Sequence, residues 1–220
     1  MSEAYSRPEI VLFDLDGTLT DPGIGITNSA MYALEKLGLP VPDREALYQI
    51  IGPPLTETFE KIFGLQGEEI MRGIQLYREY YKDRGLYENE VYPGIPEALK
   101  KLRDAGVLLA VASSKPELYV EEIIRHFGLE SCFTGIYGAS MDETRNRKEE
   151  VILHALSKLQ VEDRSKVLMV GDRNYDIFGA RNCGIPALSV LYGYGSEEEL
   201  KAAGAERICR TPEELPAYIL

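Results

Sequence analysis

Cysteine is scarce. Cys132, Cys183 and Cys209 are widely spaced and form no CxxC pair, which argues against a disulfide framework and a zinc site and fits a reducing, cytoplasmic setting. Long apolar runs are missing as well. The opening "MSEAYSRPEI" holds no apolar signal core, and the longest apolar run, "VLLAVA" at 107–112, is far too short to cross a bilayer, so neither export nor membrane anchoring is expected. Positive charge is in deficit, with 24 Lys and Arg against 36 Asp and Glu and a formal net charge of −12. That balance disfavours nucleic-acid polymers and anionic membrane surfaces as partners, and an anionic small molecule would need a local cationic site. Internal repeats and low-complexity tracts are absent. What remains, 220 residues with 45% hydrophobic and 27% charged, reads as a soluble globular chain with one substantial core and room for a smaller second module.

Short β-rich runs alternate with helical patterns. Strands are expected at "EIVLF" (9–13), "VLLAVA" (107–112), "FTGIYG" (133–138), "KVLMV" (166–170) and "PALSVL" (186–191). Between them Ile95, Ala98, Leu99 and Leu102 recur at helical spacing, as do Val120, Ile123, Ile124 and Phe127, and then Val151, Ile152, Ala155, Leu156 and Leu159. Strand and helix in alternation predict an α/β fold, a parallel sheet with helices on both faces. One connection is too long for a simple crossover: residues 21–106 separate the first two strands. Helices are expected within it at 24–37, 44–51, 55–63 and 67–84, before a crossover helix at 95–105. The expected organisation is a core of residues 1–20 and 89–220 with a helical cap of residues 21–88, placed over the strand end as a lid.

In open parallel sheets ligands bind outside the carboxyl ends of the strands, and three of these ends are polar. The first carries Asp14 and Asp16, the second Ser113 and Ser114 with Lys115, and the fourth "GDRNYD" with Asp172 and Asp176. Four carboxylates in one crevice require a cation, and hard oxygen donors suit Mg²⁺, which in turn implies phosphate. Plainer readings stand beside this one. "DLDGT" can be an acidic turn with Gly17 at positive φ, Asp172 can be a helix cap, and Ser114 with Glu117 fits a capping box with Pro116 in the first turn. Asn146 with Glu149 also fits a capping box, which sets Lys148 near the second helical position with Arg145 and Arg147 beside it. Cations there oppose the helix dipole unless an anion binds. The alternative is three solvated cations balanced by Glu143, Glu149 and Glu150.

The order "DLDGT", a hydroxyl residue ending the second strand, Lys148, then "GDRNYD" resembles the four motifs of the haloacid dehalogenase superfamily over the whole chain. "DGTLTDPGIGI", "IIGPPLTETF", "ENEVYPGIPEAL", "ASSKPE" and "VLYGYGSEEEL" are similar to its phosphoglycolate phosphatase and 5′-nucleotidase-like branch, nearest the nucleotidase-like members, with Ser113-Ser114 in place of the common threonine-asparagine. The resemblance implies a Rossmann-like core with an inserted helical cap and an Mg²⁺-dependent phosphatase acting on a small phosphate ester. It implies Asp14 as nucleophile, Asp16 as general acid and base, and Ser113, Lys148 and Ser114 as phosphate contacts. It also implies Mg²⁺ held by the Asp14 carboxylate, the Asp16 carbonyl and Asp172, with Asp176 on a metal-bound water. A sugar-phosphate mutase would use the same residues, and a catalytically silent binding module on the same fold is the reading from another class. Haloacid dehalogenation needs neither Asp16 nor "GDRNYD", and phosphonoacetaldehyde hydrolysis needs a lysine that is absent between Asp14 and Lys36. Whether the chain acts alone or as a homodimer stays open.

Overall fold

A computed structural model of the chain describes residues 7–142 and 144–220; residues 1–6 of the N-terminal stretch, and Glu143, lie outside the described residues. The first apolar run forms β1 (Ile10–Phe13), followed by a two-residue strand, β2 (Thr20–Asp21), that pairs antiparallel with β3 (Glu90–Val91). Beyond these lie β4 (Leu108–Pro116), β5 (Gly135–Ala139), β6 (Val167–Gly171), β7 (Ala187–Val190) and β8 (Ile208–Cys209). Six strands make one parallel sheet in the order β5-β4-β1-β6-β7-β8. The fold is α/β and Rossmann-like.

Between β2 and β3 run α1 (Gly23–Leu37), α2 (Arg44–Leu47), α3 (Leu55–Glu57) and α4 (Glu68–Tyr80). The expected helices at 44–51, 55–63 and 67–84 each change character before their predicted ends. The first tightens into a 3₁₀ turn at Tyr48–Ile50, and the other two widen into π turns at Thr58–Ile62 and Tyr81–Gly85. π turns gather at functional sites, and the second one carries Tyr81. After β3 come α5 (Ile95–Asp104), α6 (Glu117–His126), α7 (Lys148–Lys158), α8 (Asn174–Asn182), α9 (Glu197–Ala203) and α10 (Leu215–Ile219).

β1 is a continuous apolar run because both of its faces are covered. Val11 and Phe13 join Leu109, Val111, Leu168 and Val170 against Leu99, Leu102, Ile123 and Ile124 of α5 and α6. Leu12, with Ala110 and Met169, packs on the other face against Val151, Ile152, Ala155 and Leu156 of α7 and Ala180 of α8. Each fully buried Leu or Phe contributes about 1.5–3 kcal/mol. Register then sets where the chemistry lies. Phe13 stands opposite Val111 on one side and Val170 on the other, so β1, β4 and β6 are aligned at this level of the sheet. The chain passes from β1 to β4 on one flank and reaches β6 on the other, and the polar residues at the carboxyl ends of these three strands meet in the crevice at that switch.

Candidate active site

Asp14 leaves β1 with its backbone N–H bonded to the Val170 carbonyl at 2.9 Å, while its carboxylate accepts the Leu15 N–H at 2.7 Å. It is 5% exposed. The loop beyond it closes tightly: Gly17 N–H bonds the Thr20 carbonyl at 2.8 Å, and Gly17 has φ of 79°. A Cβ on Gly17 would lie 2.2 Å from Asp172 Oδ2, so the glycine is required by both conformation and space. The acidic turn of the plainer reading is real, and it is folded against Asp172.

Asp14 is brought to Asp172 and Asp176, and one carboxylate oxygen from each of the three lies within 4.8 Å of the others. Lys148 enters this group from α7, with Nζ 2.8 Å from Asp14 Oδ2, 2.8 Å from Asp176 Oδ1 and 3.1 Å from the Ala112 carbonyl. Burial opposes the lysine's charge, yet Asp14 and Asp176 hold its pKa above the ordinary value. Burial, with Asp176 and Asp14 nearby, raises the Asp172 pKa well above the usual carboxylate range. Asp176 is pushed up to about 6, burial outweighing Lys148. Asp14 and Asp176 share the Lys148 ammonium and Asp172 lies beside them without it, so the hard oxygen donors of the cluster fit a divalent cation. The Asp16 carboxylate is not in this group, so a contribution from Asp16 to the metal is confined to its main chain.

Asp16 turns instead to Lys115, whose Nζ lies 2.6 Å from Oδ1 and also contacts Oδ2. Burial raises the Asp16 pKa and Lys115 opposes the rise. The ammonium also stands 5.0 Å from the centre of the Tyr81 ring, in cation–π range. Tyr81 stacks on Tyr77 at 5.5 Å and meets Tyr119 edge-on. Asp14, Asp16, Ser113 and Lys115 thus open onto one cavity that Gly52, Pro53, Tyr77, Arg78 and Tyr81 of the inserted segment also line.

Ser113 is buried at the end of the crevice, where its Oγ accepts the Lys115 N–H at 3.4 Å. Ser114 is half-buried and lines both this cavity and the depression beside Lys148 and Tyr175. Its predicted capping role is overturned: β4 runs on to Pro116, α6 starts at Glu117, and the Glu117 carboxylate accepts the Gly138 N–H at 3.0 Å. The second predicted cap shifts by one residue. Glu150, not Glu149, accepts the Asn146 and Arg147 N–H groups at 3.1 Å each, which makes Lys148 the first residue of α7. Of the three cations there, only Lys148 faces the crevice. Arg147 pairs with Glu149 and Glu150, as in the plainer reading, whereas Arg145 pairs with Glu117, and the Glu143 of that reading lies outside the described residues.

Lys115 stands in the sequence only as the residue after Ser113 and Ser114, with no role assigned, because beside Pro116 and Glu117 it has the look of a helix start; the structure pairs it with Asp16. Its spacing is the available signal: it lies two residues beyond Ser113 in an extended segment, as Asp16 lies two beyond Asp14. Among the described residues the three cysteines are unpaired, and no helix is long and apolar enough to cross a membrane.

Comparison with known proteins agrees with this geometry. Residues 11–190 match the haloacid dehalogenase-like hydrolase family. A 5′-nucleotidase from Pseudomonas aeruginosa is 44% identical over 209 residues, 95% of this chain and 94% of that protein. The tyrosine-protein kinase PtkA of Mycobacterium tuberculosis is 45% identical over 194 residues, 88% of this chain but 66% of that longer protein. The crystal structure of a predicted phosphatase from Clostridium acetobutylicum superposes with a TM-score of 0.95 at 42% identity, covering 97% of this chain and 99% of the other. With four motifs in order, three at strand ends and one at the start of α7, and a match running through all of them, the chain belongs to the haloacid dehalogenase-like hydrolase family, as one of its phosphatases.

Proposed function

We propose that the protein is an Mg²⁺-dependent phosphomonoesterase that works through an aspartyl phosphate and accepts nucleoside 5′-monophosphates. The observation that carries this reading is the division of labour between two buried carboxylates on one cavity, Asp14 paired to Lys148 and Asp16 to Lys115. The Asp14 carboxylate attacks phosphorus. The new Asp14 O–P bond forms as the P–O bond to the leaving group breaks, and protonated Asp16 gives its proton to that oxygen. Water then attacks the aspartyl phosphate as Asp16 takes its proton back, and the bond to Asp14 breaks. Ser113 and Lys148 hold the non-bridging oxygens, where negative charge is stabilised in both steps, with Ser114 beside them. Asp14, the Asp16 carbonyl, Asp172 and Asp176 would hold Mg²⁺, which supplies charge neutralisation between the carboxylate and the phosphate. Residues 21–88 act as the cap that selects the leaving group.

The nucleotide part of the reading is supported by the P. aeruginosa relative and by the tyrosine-lined wall. A second reading, phosphoglycolate, is favoured by Arg78, which lines the cavity together with Lys115 and offers a carboxylate a cationic contact from the inserted segment. Phosphate release measured as kcat/KM on AMP, GMP, UMP and phosphoglycolate separates them. Hydrolysis of the nucleotides with modest selectivity is expected; a preference for phosphoglycolate of about a hundredfold overturns the nucleotidase reading and leaves the chemistry at Asp14 and Asp16 intact. Phosphoryl transfer without net phosphate release would indicate a mutase, and no turnover of any ester a binding module.

A further inference from the structure

The stretch Asp172-Arg173-Asn174-Tyr175-Asp176 has two faces. Asp172 and Asp176 turn into the carboxylate cluster. Arg173 and Tyr175 turn the other way, onto the inserted segment. One Arg173 Nη donates to the main-chain carbonyl of Ile51, and its Nε donates to Glu199 Oε1 at 2.9 Å. The Tyr175 hydroxyl donates to Glu57 Oε1 at 3.1 Å. Burial and the Glu57 charge push this phenol up to about 12, so it stays a donor at neutral pH. Two residues two apart therefore grip both ends of the loop 51–57. Between the grips, Gly52, Pro53 and Pro54 form part of the cavity wall. The approach is close: Gly52 has φ of 110°, and a Cβ there would lie 2.9 Å from Arg173 Cγ. The Arg173 fork is itself fixed from behind, because Asp176 accepts the Arg173 N–H at 3.0 Å and Glu199 accepts the Asn174 N–H at 3.0 Å.

We propose that Arg173 and Tyr175 are positioning residues that seat the loop 51–57 over the site and couple that seat to the metal-binding loop on which they ride. The acceptor at position 51 is backbone, so the grip reads where the loop lies and not which side chain it carries. Coupling is reciprocal by linkage: whatever orders Asp172 and Asp176 also tightens the seat, and a seated loop favours the ordered cluster. Arg173 contributes more than Tyr175, since its guanidinium joins two segments through separate N–H groups. The effects of Mg²⁺ and the effect on turnover rest on the Mg²⁺-dependent phosphatase reading above, whereas the effect of Arg173 on the loop without metal does not.

The test compares Arg173→Met, Arg173→Lys and Tyr175→Phe in the intact chain. Amide hydrogen exchange across 51–57 is followed with and without Mg²⁺, with the amides of α6 as the internal control. Arg173→Met is expected to speed exchange in 51–57 by about tenfold or more while α6 is unchanged. Mg²⁺ is expected to slow exchange in 51–57 in the unmodified protein and to lose that effect in Arg173→Met; Arg173→Lys restores part of it, and Tyr175→Phe gives a smaller change at Glu57. For turnover, Arg173→Met is expected to lower kcat/KM for AMP at least about tenfold while changing p-nitrophenyl phosphate by less than about threefold, because an activated leaving group depends less on closure. Unaltered exchange in 51–57, with or without Mg²⁺, overturns the proposal. If the unmodified protein hydrolyses no nucleotide, the substrate reading fails and the exchange result still judges the seat. Should Arg173→Met not fold, Tyr175→Phe carries the same measurement.

Discussion

The site has two ends built on different principles. At the end formed by Asp14, Lys148, Asp172 and Asp176, every functional group comes from a strand end or a helix start of the sheet core, and charges are balanced by charges. At the end formed by Asp16 and Lys115, the ion pair is roofed by aromatic rings, with Tyr81 and Tyr77 supplied by the inserted segment where a helix widens into a π turn. Under the proposed function the first end presents fixed charge to a group that never varies, a phosphoryl, and the second presents an aromatic wall to the leaving group, which does. A family phosphatase can thus keep its chemistry while changing its substrate by altering one wall only.

The sharpest way to break this division is at Asp14. Asp14→Asn is expected to keep less than about a hundredth of wild-type kcat, since the amide cannot open the covalent route. Its thermal unfolding should be little changed, the substitution being nearly isosteric. Asp16→Asn should be comparably inactive toward alkyl phosphates. A steady-state assay beside a melting curve checks both.

Next in size comes Lys148. Lys148→Ala removes the ammonium shared by Asp14 and Asp176 and is expected to lower kcat/KM by about a hundredfold or more, whereas Arg147→Ala, on a side chain 65% exposed and paired to Glu149, should change it by less than about threefold. The reverse ranking would place the third motif one residue earlier.

Lys115 tests the other end. Lys115→Met is expected to cost about tenfold on AMP and less on p-nitrophenyl phosphate, because the pair it forms with Asp16 serves protonation of the leaving group. Equal losses on both esters would assign Lys115 to the phosphoryl end.

The smallest effect is on stability, and its sign comes from the cluster. Asp172 and Asp176 have folded pKa values raised above the ordinary 3.8, Asp176 to about 6. The stabilising contribution of Asp176 is complete below 3.8 and is lost as pH climbs through about 6, and burial of Asp172 acts in the same direction. Metal-free protein should therefore have a lower melting temperature at pH 7.5 than at pH 5 from this cluster, and Mg²⁺ should raise it more at the higher pH, where Asp176 is ionised. Asp172→Ala should abolish most of the Mg²⁺ increment. Calorimetry with EDTA and with Mg²⁺ measures it.

Much of the phosphoryl end is legible in the residues. The β1 run, the Asp14-Asp16 spacing and "GDRNYD" after an apolar strand all point to the same place, because a doubly covered strand must be apolar until its end and polar only beyond it. The leaving-group end is legible only in outline: the loop 51–57 and the tyrosine-rich stretch 76–87 stand out as candidate contacts, but packing within the inserted helices is the plainer role of Tyr77, Tyr80, Tyr81 and Tyr87. Tyr81 reads as one more aromatic on an amphipathic helix until the π turn rotates it toward Lys115. Lys115 reads as a capping neighbour until β4 is seen to extend through it. The helix caps differ from expectation by one residue at Glu150 and altogether at Ser114, since several acidic and hydroxyl residues compete for each cap and local sequence does not rank them.

By itself, then, the sequence determined which residue types stand at the carboxyl ends of β1, β4 and β6 and at the start of α7, because periodicity and strand length are local properties. It also determined that an insertion must come after the first motif, from the length of the connection, and that the insertion is helical, from its residue pattern. Only the tertiary structure decided the partners: Lys148 for Asp14 and Asp176, Lys115 for Asp16, Arg173 and Tyr175 for the loop 51–57. Those choices join segments far apart in the chain, by 36 residues for Lys148 with Ala112, 99 for Lys115 with Asp16 and 122 for Arg173 with Ile51. No local pattern encodes them, since which charges meet depends on strand order, register and the closeness of approach that Gly17 and Gly52 permit.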